Sequence, residues 1–331
     1  MPLSRILLAG GAMTTLVLAG CATESTPENA SGGGDASLAV GASFYPLQFV
    51  AERVGGEDVE VVSLISAGVE PHDAELSPAI VRSMQSMDSV LYLSEFSAAV
   101  DDAIDTTGVR ALDAHHIVEE HTEAVAARAE SEHDHEDGAA HDEDEAHEDE
   151  AHADDDGHGH GDADPHFWLD PTLVSELADD VAAEFAELDP DNAADYEARG
   201  EELKGELAAL DDSFTQSLEI CERRDVFVSH EAYGYLATRY DLHQQGLSGL
   251  DPEAEPSPAR VREIRDLVED TGATTIFTES LVSANVADSL AEDVGVSTAV
   301  LDPLESITDG DDYLGVMTRN LEALRSGLDC G

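Results

Sequence analysis

Basic side chains are scarce in this chain. Its 331 residues include one lysine, Lys204, and only 15 Lys+Arg in all against 74 Asp+Glu, a formal net charge of −59. That balance excludes nucleic acid as a natural partner, because there is no basic surface to neutralise phosphates. Long apolar runs are equally rare. Residues 6–19 form the one sizeable run, and it is too short to span a bilayer. No glycine-rich loop ends in a lysine, so a phosphate cradle is absent. His147, Glu148 and His152 miss the zinc-protease helix spacing by one residue, and the acidic run at Asp154–Asp156 lacks the first and last ligands of a calcium loop. These absences argue against an enzyme.

Cysteine is limited to three residues, and each has a legible context. Arg5, the apolar run and the sequence Leu18-Ala19-Gly20-Cys21 have the layout of an export signal, 1–20, ending at a lipoprotein cleavage box. The expected product begins at Cys21, lipidated and anchored to the cell membrane on its extracytoplasmic face, with residues 21–37 as a Gly/Ser-rich flexible tether. Export to an oxidising compartment favours a disulfide between Cys221 and Cys330, with two buried free thiols as the alternative.

Behind the tether the hydrophobic pattern alternates between short β-rich runs and helical spacing. Strands are expected at Leu38–Tyr45, Val59–Ile65, Ser89–Leu93 and Val109–Leu112, with helices at Pro46–Val54 and Ser77–Met87 between them. A second set follows, with strands at Asp225–Ser229, Leu242–Leu247, Thr274–Thr278 and Ser297–Leu301 and helices in each gap. Between the sets, Thr172–Leu188 is helical, Asp189-Pro190 breaks it, and Asp191–Leu218 carries Leu203, Leu207, Leu210 and Phe214 on one face. The expected architecture is therefore α/β: an N-terminal lobe over 38–188, a bridging helix over 189–219 and a C-terminal lobe over 220–331, with mainly parallel sheets.

Histidine is where the sequence is rich. Between His115 and Pro165 lie ten histidines and twenty carboxylates, with Arg128 the only base. Such a tract is expected to be a disordered loop, 115–163, in which His133, His135, His141, His147, His152, His158 and His160 form a low-affinity, exchangeable trap for divalent metal. Outside it only His72, His166, His230 and His243 remain. His72 and His230 follow strands and His166 precedes a helix, which are ligand-binding positions in open α/β sheets. Glu279 and Asp302 also follow strands. Three imidazoles and one carboxylate would close a tetrahedral Zn²⁺ site. His243 sits in mid-strand and is left out.

Four segments carry a family resemblance: GVEPHDAELSP around His72, DPHFWLDP around His166, SHEAYGYLATRYDL around His230 and VLDPL around Asp302. In this order, with a His-rich loop before the second, the chain resembles the zinc-binding lipoproteins of bacterial ABC transporters, the metal-specific group of solute-binding proteins. The resemblance implies two α/β lobes with the metal in the cleft between them, and an ABC permease with its ATPase as partners of a monomeric receptor. It implies His72, His166, His230 and Asp302 as metal ligands, with Glu70 a rival for the fourth place and Glu279 supporting a ligand from behind. The histidine at position 230 distinguishes zinc binders from manganese binders, which usually carry Glu there. A manganese or iron protein on the same scaffold, and a metal-buffering or adhesive surface lipoprotein, are the alternatives.

Overall fold

The structure, a computed structural model, describes residues 37–122, 163–281, 283–307 and 310–331. The expected signal, Cys21, nearly all of the tether and the tract histidines from His133 to His160 lie outside these residues.

Two four-stranded sheets form, and every strand pairing in both is parallel. The first contains β1 (Leu38–Ala42), β2 (Val59–Ser63), β3 (Ser89–Tyr92) and β4 (Ala111–Asp113), in the order β2-β1-β3-β4. The second contains β5 (Asp225–Val228), β6 (His243–Gly246), β7 (Thr275–Thr278) and β8 (Ser297–Val300), in the equivalent order β6-β5-β7-β8. Parallel neighbours need crossovers. These are α1 (Tyr45–Gly55), α2 (Pro78–Met84) and α3 (Ala98–Thr107) in the first lobe, and α7 (Gly234–Tyr240), α8 (Pro258–Thr271) and α9 (Asn285–Val294) in the second. A helix α4 starts at residue 115 and is described to residue 122. α5 (Pro171–Leu188), α6 (Ala193–Leu218) and α10 (Tyr313–Gly327) complete the set. Local signals fix many helix starts: Ser77, Asp170, Ser257 and Asp312 each accept a backbone N–H of the first turn.

Helices α3 and α4 are absent from the sequence reading. α3 is short and bears only two buried residues, Val100 and Ala103, so its apolar periodicity is weak. Its end is set by Gly108 in the left-handed region. α4 opens the His-rich tract, whose polar composition hides Ile117 and Val118, both buried.

α6 bridges the two sheets. Its 26 residues span about 39 Å. Tyr196, Gly200, Leu203, Leu207, Leu210, Phe214 and Leu218 form its buried stripe, packed on α1 and α5 at one side and α10 at the other. α5 packs closely on α6 at Gly200, where an added Cβ would just meet that of Ala182 at 3.4 Å and a larger side chain would have no room. Arg199 donates to the carbonyls of Val54 and Gly55 (2.6 and 2.9 Å) and to Asp58, anchoring α6 on the first lobe. Asp211 accepts two bonds from Arg239 and one from Tyr240, anchoring it on α7 of the second. Cys221, just past α6, is disulfide-bonded to Cys330 after α10, a sequence separation of 109. The closed loop accounts for about 4–5 kcal/mol in the chain-entropy description of the unfolded state. No helix among the described residues is long and apolar enough to cross a membrane.

Candidate metal centre

The carboxyl ends of the strands face one another across the lobes and supply the chemistry. The loop after β2 brings His72. A turn before α5 brings His166. The loop after β5 brings His230, and the loop after β8 brings Glu305. One ligand atom from each of these four lies within 4.8 Å of all the others.

Each histidine is held from behind. Glu70 accepts the N–H of His72 (3.0 Å) and of Asp73 (3.3 Å), bending the loop so that the ring packs 4.4 Å from Phe96. Asp164 performs the same act two residues before His166, accepting its backbone N–H at 2.9 Å, and also takes its Nδ1–H at 2.7 Å. Glu279, at the end of β7, takes the Nδ1–H of His230 at 2.6 Å and accepts the Ser229 hydroxyl. With Nδ1 committed as donor, the neutral rings of His166 and His230 must direct an Nε2 lone pair inward.

Glu305 Oε1 stands at the focus. It lies 3.1 Å from His166 Nε2, 3.5 Å from His72 Nε2 and 3.6 Å from His230 Nε2. The last two separations exceed a good hydrogen bond. A tetrahedron of ligands about 2.0–2.1 Å from a Zn²⁺ ion has edges of about 3.3 Å, so all three distances suit a shared cation. The Nε2 atoms of His72 and His230 are buried and have no hydrogen-bond partner among the described residues. His166, His230 and Glu305 are themselves buried. The donor set and its geometry therefore fit a borderline-soft divalent ion.

The electrostatics agree. Burial works against charging His230, yet its hydrogen bond to Glu279 and the nearby Glu305 carboxylate overcome this and raise its pKa to about 10. His166 is likewise raised: burial opposes the charged ring, and Asp164 and Glu305 outweigh it. Burial alone would raise Glu305, but the imidazoles around it hold its carboxyl well below the usual carboxylate range. The centre is a strongly negative focus that attracts positive charge of either kind, proton or metal.

Of the residues singled out in the sequence, His72, His166 and His230 converge here. Asp302 does not join them. Its carboxylate accepts the N–H of Leu304 (2.8 Å) and the hydroxyl of Ser280 (3.2 Å), and the acid that enters the group is Glu305, three residues on. Glu70 sits against the backbone of the His72 loop, and Glu279 lies behind His230. His243 pairs loosely with Asp225, away from the centre. Of the tract, His115 donates Nδ1–H to the Ser94 carbonyl, while His116 and His121 face Asp180 and Glu176 on α5. The sequence reading misses Glu305 and Asp164. Asp164 has a legible signal, since Asp164-Pro165-His166 repeats the acid-Pro-His spacing of Glu70-Pro71-His72.

A cavity of about 300 Å³ adjoins His72. Phe96, His115 and Pro165 line it from the first lobe and Leu250 and Asp251 from the second. Trp168 locks the two sides beneath it: its indole donates to the Pro303 carbonyl at 2.7 Å, and its ring lies 5.1 Å from that of His166.

Fold and centre together define a two-lobed α/β metal-binding protein of the solute-receptor type. Residues 40–327 match the family of the periplasmic component A of the zinc-uptake complex. The chain belongs to that family. It is 32% identical over 319 residues to the high-affinity zinc uptake system protein ZnuA of Bacillus subtilis, covering 95% of this chain and 94% of the relative. It is 30% identical over 340 residues to the zinc-binding lipoprotein AdcA of Streptococcus pneumoniae, of whose length it spans 62%. The crystal structure of Zn(II)-bound AdcA superposes with a TM-score of 0.68 at 28% identity, covering 88% of this chain and 58% of that one.

Proposed function

We propose that this protein is an extracytoplasmic zinc receptor. It captures Zn²⁺ with His72, His166, His230 and Glu305 and hands it to an ABC permease driven by its ATPase. A lipid on Cys21 holds the receptor, acting as a monomer, at the cell membrane. The observation that carries this reading is the convergence of three inward-facing imidazoles on one buried carboxylate oxygen. The role is binding without turnover.

The ligands divide two and two. His72 and His166 belong to the first lobe, His230 and Glu305 to the second. A small separation of the lobes thus halves the coordination shell and turns a tight site into two weak ones. α6, anchored on both lobes, restricts such movement. Release therefore follows when the docked permease pries the lobes or their loops apart. Imidazole nitrogen favours Zn²⁺ over Mn²⁺, so manganese should compete poorly.

Zinc titration followed by Trp168 fluorescence tests the assignment, since this sole tryptophan lies beside His166. His166→Ala should weaken binding by more than the roughly 10–100-fold typical of outer contacts. Deleting residues 123–162 should leave one tight site. Loss of all tight binding on that deletion would instead make the tract the functional part, and unchanged affinity in His166→Ala would remove this centre from consideration.

A further inference from the structure

The loop after β8 opens with two carboxylates, Asp302 and Glu305, and of these two Glu305 is the one that groups with the imidazoles. We propose that Asp302 and Asn320 are positioning residues that fix Glu305 at the metal centre and so set its affinity without touching the ion, an inference that rests on the ligand set proposed above.

Asn320 lies on the buried face of α10 among Val316, Met317, Leu321 and Leu324. It is only 2% exposed. An amide buried there is costly unless both its halves are bonded. Both are, and to a single residue. Its Oδ1 accepts the Asp302 N–H at 2.9 Å, and its Nδ2 donates to the Asp302 carbonyl at 2.7 Å. The side chain thereby fixes the start of the loop much as a neighbouring strand would.

Asp302 then folds the loop back on itself. Its carboxylate accepts the N–H of Leu304 at 2.8 Å and also holds Ser280, from the loop after β7. Between them, the Pro303 ring restricts φ, and its carbonyl accepts the Trp168 indole. Leu304, fully buried, is forced to φ +61, a left-handed conformation that branched side chains avoid. Such a conformation persists only where its surroundings over-determine it, and here the Asp302 carboxylate is the direct restraint. The reversal at Leu304 is what turns Glu305 inward. Asp302 thus shapes the turn, and the next acid in the chain meets the metal.

The test separates a positioning role from ligation. Asp302→Asn keeps an oxygen that can accept the Leu304 N–H and a polar atom for Ser280, whereas an amide is a poor substitute for a carboxylate ligand. Zinc affinity is measured by chelator competition in the unmodified protein, Asp302→Asn, Asp302→Ala, Asn320→Leu and Glu305→Gln, with Co²⁺ absorption as a report on the ligand sphere. Asp302→Asn should keep affinity within a few-fold and leave the Co²⁺ spectrum unchanged. Asp302→Ala and Asn320→Leu should each lose about 10–100-fold, with a spectrum shifted toward that of Glu305→Gln. Melting of the metal-free variants checks folding. If Asn320→Leu fails to fold, the Asp302 pair decides alone. Equal loss in Asp302→Asn and Asp302→Ala would make Asp302 a ligand, and no loss in Asp302→Ala would remove its role; either overturns the inference. An unaffected Glu305→Gln would strike the proposed ligand set instead, whatever the Asp302 variants do.

Discussion

Zinc must compete with protons for this centre, and Glu279 sets the terms. Burial disfavours the charged His230 ring, but Glu279 and Glu305 raise its pKa to about 10. At pH 7 the ring is therefore protonated in the metal-free protein, and removing that proton costs about 4 kcal/mol, from about 3 pKa steps of 1.36 kcal/mol. His166 is shifted in the same direction, by Asp164 and Glu305 against burial. Zinc binding at neutral pH should release at least the His230 proton, and apparent affinity should keep rising above pH 7 instead of levelling where an ordinary imidazole has finished titrating. The sign for the metal-free fold is the reverse. A pKa raised above its unfolded value contributes stability that is complete below about pH 6.5 and is lost as pH rises toward 10. Glu279→Gln keeps the shape behind His230 and removes the charge, so the pKa of that ring should fall and less of it should be protonated near pH 7. Calorimetric titration in buffers of differing ionisation enthalpy counts the protons: at least about one for the unmodified protein and fewer for Glu279→Gln. Equal counts in the two proteins, or none in either, would refute the reasoning.

Two further outcomes concern the frame. Replacing Cys221 and Cys330 with serine should lower stability by up to about 4–5 kcal/mol, seen as a lower denaturant midpoint, with zinc affinity preserved under conditions where the protein stays folded. Gly200→Leu should force α5 and α6 apart where the Ala182 contact leaves only 3.4 Å; a loss of about 1–3 kcal/mol is expected from overpacking, whereas Gly200→Ala should be tolerated in a chemical melt.

The two-lobe frame was readable because most of its strands are short, β-branched or apolar runs with regular punctuation, and because α6 carries an unbroken stripe from Tyr196 to Leu218. The three histidines of the centre stand out in the sequence for a different reason: the tract apart, the chain has only one other. The acid was harder to read. Strand-end logic selects Asp302, the first polar residue after β8, and the turn that advances the contact to Glu305 depends on Leu304 adopting a positive φ. Nothing in Leu304 itself announces that conformation. The restraints are the Asp302 carboxylate on the Leu304 N–H, Asn320 on the Asp302 backbone from eighteen residues further along the chain, and Trp168 from the other lobe on the Pro303 carbonyl. α4 was hidden because a histidine- and acid-rich composition reads as solvated even where Ile117 and Val118 pack inward.

The division of the four proposed ligands between the lobes has a consequence for recognition. An ion seated among them is a cross-link that can be inserted and withdrawn, adding to α6, the Trp168 and Tyr313 contacts and the Gly68 N–H on Ser306 that already join the lobes. A filled receptor is then a stiffer object than an empty one, even when both have the same outline. A membrane partner that grips both lobes could sense occupancy mechanically, by resistance to twisting, without touching the cargo.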